Sequence, residues 1–532
     1  MILLEHIPDF FLFVIAIAYA EIHYRIGILP SRYFIKEPEI IADVPNRLQK
    51  GPLLPVAVVV KDSDKYPVKI QQITCRITQP YPFSCILPID QVLERHFWAI
   101  CPDVQLPDEM TGCLSVDIII DYEYRGKQKR CINDNYKLLS HRPFSVFVDP
   151  EPLPCEKGWA LGDLHTHSHL SRDQVEFGAP PHISRKMAKA MGLSYFAVTD
   201  HSYDLDDSPH NYLVNDPSLP KWNELWNTVS ELNSQDEHFV IIPGEEVSAG
   251  NCKSRNVHCL ILNNPDFIPG SGDSAEKWLH TRPEHSITYC LSRKQSSAAV
   301  IAAHPFVPIP FLQKMLVRRD KWRKQDVMHE HLDGLQLWNG DDEYFMATGI
   351  QEWIQLLLQG RQIGLFAGTD AHGNFNRFRQ IGLPHFSMKE SEKEVFGRAH
   401  TGLYIDQELS VGRIIKAIQR QHAFVSNGPF AWLDFRANGK RFMVGDRCTK
   451  RSGEIQINCK TTKSFGVLKA AVLIIGDCAL QQEVNRPLKV TQACYRKRVS
   501  LDIANLPEKG YLRLKVVTDK NCVAYTNPIY LT

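Results

Sequence analysis

The residues best suited to chemistry begin at Leu164-His165-Thr166-His167. Two histidines separated by one residue at a strand end project from the same face, because side chains alternate along a strand, so both imidazoles can reach one ion. Asp173 follows in a polar loop, and Asp200-His201 terminates an apolar run. Glu245-Glu246 terminates the next, His304 another, and Asp370 and His372 the last. In parallel β/α folds the carboxyl ends of the strands form the active-site face. A single histidine at such a place is an ordinary hydrogen-bonded residue; recurrence of metal-ligating types from run to run is what points to metal. His258 departs from the pattern, since it precedes most of its apolar run (257–262) instead of ending it. The set is imidazole and carboxylate without thiolate. Imidazole suits Zn, Fe, Ni or Cu, and carboxylates admit Mn and Mg. Ions held this way activate water, and a pair of them clamps the attacking and leaving oxygens of a phosphoryl transfer.

The neighbours of these residues carry weaker readings. His169 extends the run to H-x-H-x-H and is a candidate substrate contact or an exposed loop histidine. Asp163 and Asp200 are placed to orient imidazoles or to make strand-end hydrogen bonds. Arg377 and Arg379 follow the last ligand motif closely, and Arg172 sits beside Asp173; all three are candidates to bind an anionic substrate, or solvated loop arginines. Asn339 is placed to face the site without touching metal. Trp338, Phe306 and Phe375 lie near motif ends and are candidates for an apolar pocket wall.

The elements that must position these groups form three regions. After an apolar helix in residues 1–28, the segment 29–154 shows short β-rich runs punctuated by proline and glycine, which predicts a β-sandwich-like domain. Residues 155–429 change character. Seven strand-like runs (159–164, 195–199, 239–242, 257–262, 299–303, 334–338 and 364–368) alternate with helical patterns over 182–191, 221–234 and 348–359. That alternation predicts a parallel β/α architecture, closed as a barrel. Residues 430–532 return to β patterning, with Leu512, Leu514 and Val516 alternating against Arg513 and Lys515, and predict a second β-sandwich-like domain.

Sixty-one basic residues against 60 acidic give a net charge of +1, which offers no basic track for a nucleic-acid backbone. The 14 cysteines are scattered and none forms a C-x-x-C pair, which excludes a zinc ribbon and points to free thiols in a reducing compartment, hence the cytoplasm. The apolar run 10–20 is too short to span a bilayer, and no Lys or Arg precedes it, unlike a signal peptide. No transmembrane segment is expected, and the oligomeric state is open.

Taken in order, His165-x-His167, Asp173, Asp200-His201, Gly244-x-Glu246, His258, His304-Pro305 and Asp370-x-His372 resemble the motifs of the polymerase and histidinol phosphatase (PHP) superfamily. The resemblance covers about half of the chain, and every ligand position of those motifs is filled. It implies a distorted (β/α)7 barrel and two or three divalent ions, Zn, Mn or Fe. By that resemblance His165, His167, Glu246 and Asp370 hold the first ion. Glu246, favoured over Glu245 by the family spacing, bridges to a second held by His258 and His304. Asp173, His201 and His372 hold a third. A metal-bound hydroxide would then attack a phosphomonoester or small phosphodiester. Ser426-Asn427-Gly428-Pro429 and Thr526-Asn527-Pro528 are similar to the carbaryl-hydrolase-like branch, which implies a carboxylic or carbamate ester as the alternative substrate. A non-catalytic, metal-stabilised binding protein is the third reading.

Overall fold

The computed structural model describes residues 37–532 apart from 50, 52, 137–138, 172–177, 210, 275–280, 341–342, 383–386 and 489–493. The expected apolar helix of residues 1–28, Arg172 and Asp173 lie outside the described residues.

The first described region is all strand. A three-stranded sheet (Glu39–Asp43, Ala57–Lys61, Phe97–Ile100) and a six-stranded sheet built around Val68–Gln79 and Gly112–Tyr124 share one core. Ile40, Val58, Val60, Ile73, Ile118 and Val146 are buried in it. Alternation of inward apolar and outward polar residues along Val68–Gln79 makes it a half-buried strand.

In the central region we number the strands that carry the site β1 (Trp159–Thr166), β2 (Tyr195–Val198), β3 (Val240–Gly250), β4 (Asn256–Leu262), β5 (Ala299–Ala302), β6 (Gly334–Asn339), β7 (Gly364–Gly368), β8 (His400–Tyr404) and β9 (Ala423–Ser426). Their helices follow from local chemistry. Helix α1 (Pro181–Met191) starts on a proline, which needs no amide partner in the first turn, and stops at Gly192 in the left-handed conformation. Its buried stripe is Ile183, Met187, Ala188 and Met191. Helix α2 (Pro220–Ser234) buries Trp222, Leu225, Val229 and Leu232 at helical spacing.

The sheet corrects the expected (β/α)7 barrel. Its hydrogen-bonded order is β7-β6-β5-β4-β3-β2-β1-β8-β9, and it continues into C-terminal strands to make one 15-stranded sheet. Among these nine strands only β1/β2, β2/β3, β5/β6 and β6/β7 pair in parallel. Strands β3/β4 and β4/β5 are antiparallel, and so are β1/β8 and β8/β9. A parallel pair needs a crossover, usually a helix; β3 turns directly into β4 through residues 251–255, so no helix can separate them. The sheet is therefore mixed and strongly curled, a half-barrel whose ladder stays open: β7 approaches β1 through the isolated bridge Thr166–Ala371. That close approach requires Gly368, where a Cβ would stand 2.6 Å from the His165 Cβ and 2.8 Å from its backbone nitrogen. Leu164, Ala197, Ile242, Leu260, Ile301 and Phe366, one from each of six strands, pack together along the curl.

Beyond β9 the chain is again mostly strand. Lys440–Met443, Phe430–Ala437, Gly453–Lys460 and Arg496–Ile503 make a four-stranded sheet. Leu468–Asp477, Gly510–Thr518 and Val523–Thr526 extend the long sheet, joined to β9 by the antiparallel pair Phe424–Thr526. Among the described residues no helix is long and apolar enough to cross a membrane.

Candidate metal centre

Glu246 lies in the middle of a crowd of imidazoles. Its Oε1 is 2.6 Å from His258 Nδ1 and 3.2 Å from His304 Nε2. Its Oε2 is 3.0 Å from His201 Nδ1 and 3.5 Å from both His165 Nε2 and His167 Nε2. Asp370 closes the other side, with Oδ1 3.2 Å from His165 Nε2 and 3.0 Å from His167 Nε2. His372 stacks on His167 at 4.0 Å between ring centroids, 5° from parallel. The ligating atoms fall into three overlapping groups: His165, His167, Glu246 and Asp370; His201, Glu246 and His258; and His167, His201 and His372.

The strands explain the convergence. His165 is the penultimate residue of β1 and His167 lies just past its end, on the same face. His201 begins just past β2, His304 just past β5, and Asp370 and His372 just past β7. Glu246 is within β3 and His258 near the start of β4. Because β4 runs antiparallel to β3, its beginning lies at the edge where the other strands end, and the register places His258 opposite Ser248. That reversal accounts for the odd position of His258 in its apolar run. His304 and Asp370 both take positive φ, 29° and 57°. Such backbone is costly for residues other than glycine and concentrates at functional sites.

Strand alternation also separates the two adjacent glutamates. Glu245 points away from the cluster, accepting from Ile268 N at 3.0 Å and Ser202 Oγ at 3.1 Å. Burial holds its carboxyl well above the usual range. Glu246 is equally buried, yet the His258, His165 and His201 charges hold it well below that range. Burial opposes the charge on His165, but Asp370 and Glu246 carry it up to about 9. His167 goes the other way: burial, then His372 and His201, push it well below its ordinary value.

Supporting groups fix these side chains. His165 Nδ1 lies 2.8 Å from Gln336 Oε1, and the Gln336 amide donates to Asn339 Oδ1 at 2.9 Å and Gly368 O at 3.2 Å. Asn339 in turn donates to Asp370 Oδ2 at 3.4 Å, so it faces the cluster through that carboxylate. Asp200 accepts from Ser168 N, Ser168 Oγ and Ser171 Oγ, each at 2.7 Å, and so pins the loop after His167. Asp163 accepts from His165 N, Thr369 N, Thr369 Oγ1 and Gly397 N, tying β1 to the β7 loop. Neither aspartate bonds an imidazole directly.

The donor set fits divalent ions. Glu246 Oε2 and His201 Nδ1 are both buried without a hydrogen-bond partner although they face each other, the arrangement left when two ligand atoms aim at a shared ion. Oxygen and imidazole donors without sulfur suit Zn, Mn or Fe.

Three candidate substrate contacts belong elsewhere. Arg377 donates to Arg142 O and Pro143 O and lies over the Phe144 ring, 5.0 Å from its centroid. Arg379 reaches Ala42 O, Asp43 and Asp134. Both are buried where the first β region meets the centre, beside backbone carbonyls and carboxylates that face their guanidinium groups. His169 packs on Phe97 at 5.0 Å and reaches Glu224 at 3.8 Å; burial, then His182 and Lys61, push it down to about 3. Trp338 and Phe375 are core residues, and Phe306 packs on the same core as Trp338.

Three residues at the cluster escaped sequence reading. Asp273 Oδ2 lies 2.9 Å from His258 Nε2, and Arg319 Nη2 lies 2.8 Å from His258 Nδ1. Neither ends a strand, so no strand-end pattern marks them. Gln336 was likewise invisible, a polar residue inside an apolar strand being its one signal.

No family model matches the chain. No curated protein matches it. Among solved structures it is similar to a β-D-mannosidase from Dictyoglomus thermophilum (8% identity, 92% of this chain and 66% of that one, TM-score 0.24). It is also similar to a Parabacteroides merdae β-glucuronidase (9% identity, 93% of this chain and 65% of that one, TM-score 0.18). The chain thus spans just under two thirds of either. Likeness at these TM-scores carries no argument about fold or activity.

Proposed function

We propose that this protein is a metal-dependent phosphoesterase acting on a phosphomonoester or a small phosphodiester. The observation that carries the reading is Glu246, whose two oxygens lie within 3.5 Å of five histidine nitrogens while Asp370 faces two of the same imidazoles. His165, His167, Glu246 and Asp370 would hold one ion, and His201 and His372 would contribute to another. Divalent ions bound there supply Lewis acidity and hydroxide at neutral pH.

The chain's own groups do the rest. Gln336 fixes the His165 ring, Asp200 fixes the loop carrying His167, and Asn339 holds the Asp370 carboxylate. Arg319, one quarter exposed, brings a permanent positive charge to the rim beside His258. With Trp338 and Phe375 consigned to the core, a cationic rim favours an anionic ester over a neutral one.

The test is elemental analysis paired with a substrate panel: p-nitrophenyl phosphate, bis-p-nitrophenyl phosphate and 1-naphthyl N-methylcarbamate. Bound metal with phosphate-ester cleavage is expected. Carbamate cleavage alone would replace phosphoesterase with neutral esterase. No metal and no turnover after Mn or Zn addition would leave a binding protein.

A further inference from the structure

We infer that the excursion 306–324 beside the metal centre docks the protein on an anionic lipid surface, and that the ester offered to the ions is the phosphate headgroup of an amphiphile. The docking stands on the surface alone; the substrate class rests on the phosphoesterase reading above.

Both ends of the excursion are pinned at the centre. It leaves from His304 and returns at Trp322, whose backbone nitrogen donates to Pro305 O and whose indole nitrogen donates to His258 O, each at 3.0 Å. Trp322 is buried. Between these points the short helix Phe311–Leu316 leaves Phe311 70% and Met315 37% exposed. Four residues apart, the two side chains share one helix face. A single exposed apolar residue is ordinary, but a phenyl and a thioether side by side mark a contact surface.

The flank of this pair is strongly basic. Lys314, Arg318, Arg319, Lys321, Arg323 and Lys324 stand in one stretch with Asp320 as its single acid. The tip 251–255 lies alongside. Arg255 donates to Lys314 O at 3.4 Å and Asn251 to Lys321 O at 2.9 Å, which brings Lys253 and Arg255 to the same edge. In a chain of net charge +1 this field is local, felt within about 10 Å, so it acts on a surface already in contact. Exposed apolar side chains flanked by lysine and arginine suit an anionic lipid interface: the apolar groups enter the acyl boundary and the cations meet headgroup phosphates. A nucleic acid would use the charges but offers no apolar layer for Met315. Arg319 joins this edge to the centre, with Nη2 2.8 Å from His258 Nδ1.

The experiment sediments the full chain with vesicles of pure phosphatidylcholine and of equimolar phosphatidylcholine and phosphatidylserine. Native protein is expected to bind the anionic vesicles and to be released as salt rises. Phe311→Ser with Met315→Gln should weaken that binding at least about tenfold. Lys314→Gln with Lys324→Gln should weaken it about 25-fold, about fivefold for each charge. All four positions are exposed, so both variants should keep the native melting temperature. The apolar run 10–20 is the same in every form and cancels from the comparison. With phosphatidic acid in the anionic vesicles, both variants should lose phosphate release in proportion to binding while cleaving p-nitrophenyl phosphate at the native rate. Native protein left in the supernatant, or equal binding by all three forms, would overturn the docking. Capture of an oligonucleotide by the native and the Phe311→Ser, Met315→Gln forms alike, without vesicle binding, would overturn it in favour of nucleic acid. Vesicle binding and p-nitrophenyl phosphate cleavage without turnover of phosphatidic acid would overturn the amphiphile substrate alone. Vesicle binding with turnover of neither ester would remove the phosphoesterase reading and support the docking.

Discussion

His258 Nδ1 and Glu246 Oε1 meet at 2.6 Å although the strand register pairs His258 with Ser248 and Glu246 with Leu260. They are diagonal neighbours on one face of an antiparallel pair, close enough for long polar side chains to touch. A ligand from the start of one strand thus joins a ligand from the middle of the next. The adjacent glutamates then have opposite fates under the same substitution. Glu246→Gln removes the shared carboxylate and should abolish metal binding. Glu245→Gln imitates a carboxyl that burial already holds well above its usual range, and should change stability by no more than about 1 kcal/mol with metal content intact. Equal metal loss in both would show that the assignment of the two residues is wrong.

His165→Ala and Asp370→Ala are expected to remove bound metal and lower phosphate-ester turnover by at least about 100-fold, with the circular dichroism spectrum unchanged. Native-level activity in either variant would rule out these residues as ligands.

Gln336 touches no ion, but it fixes the ring that does. Gln336→Leu should weaken metal affinity about 10–100-fold while elemental content at saturating metal stays native. An unchanged affinity would mean that packing alone holds the His165 ring.

The metal-free chain should be pH-sensitive in a defined direction. Burial opposes the charges on His165 and His258, but Asp370 and Glu246 for the first, and Glu246 and Asp273 for the second, raise both to about 9 from 6.5. Their contribution to stability is complete below pH 6.5 and is lost as pH rises through 9. Glu246 and Asp370 are held well below 4.5 and 3.8, so their contribution exists above those values and is lost on acidification. The melting temperature with chelator present should therefore be highest near pH 6.5, because His167 and His169, held below their ordinary value, cost stability on acidification, and should fall toward pH 9. Saturating metal, which needs the ligands deprotonated, should flatten that alkaline fall. A chelated sample with no decline above pH 6.5 would contradict the ion pairs described.

Arg379→Ala should cost stability without touching KM. It strands Asp43 and Asp134 in a buried setting, a loss of about 3 kcal/mol. Arg377→Ala removes donors to two backbone carbonyls and should cost less, about 1–2 kcal/mol. A raised KM with an unchanged melting temperature would return either arginine to the substrate pocket.

Much of the centre was legible before any fold was known, because strand-end histidines and acids stand out against apolar runs: the structure draws His165, His167, His201, Glu246, His304, Asp370 and His372 to one edge, and His258 with them. The closed parallel barrel was misread, since an apolar run has the same composition in a parallel or an antiparallel neighbour, and direction is set by connections such as 251–255. Arg377 and Arg379 looked like site residues because they follow a ligand motif by only a few positions. Sequence distance does not say which way a loop turns, and this one turns toward Asp43 and Phe144. Arg319 and Asp273 reach His258 from segments with no periodicity to announce them.

The ladder bearing the ligands does not stop where the central region ends. Strand β9 passes its free hydrogen-bonding side to Val523–Thr526, and the long sheet runs on from there. The final strands are thus a hem sewn onto an otherwise raw border, the kind of border that recruits other chains. A chain cut at residue 429 would expose β9 along its length and invite self-association. The protection of the ligand-bearing sheet from such pairing is in this sense lent to it by the C-terminal strands.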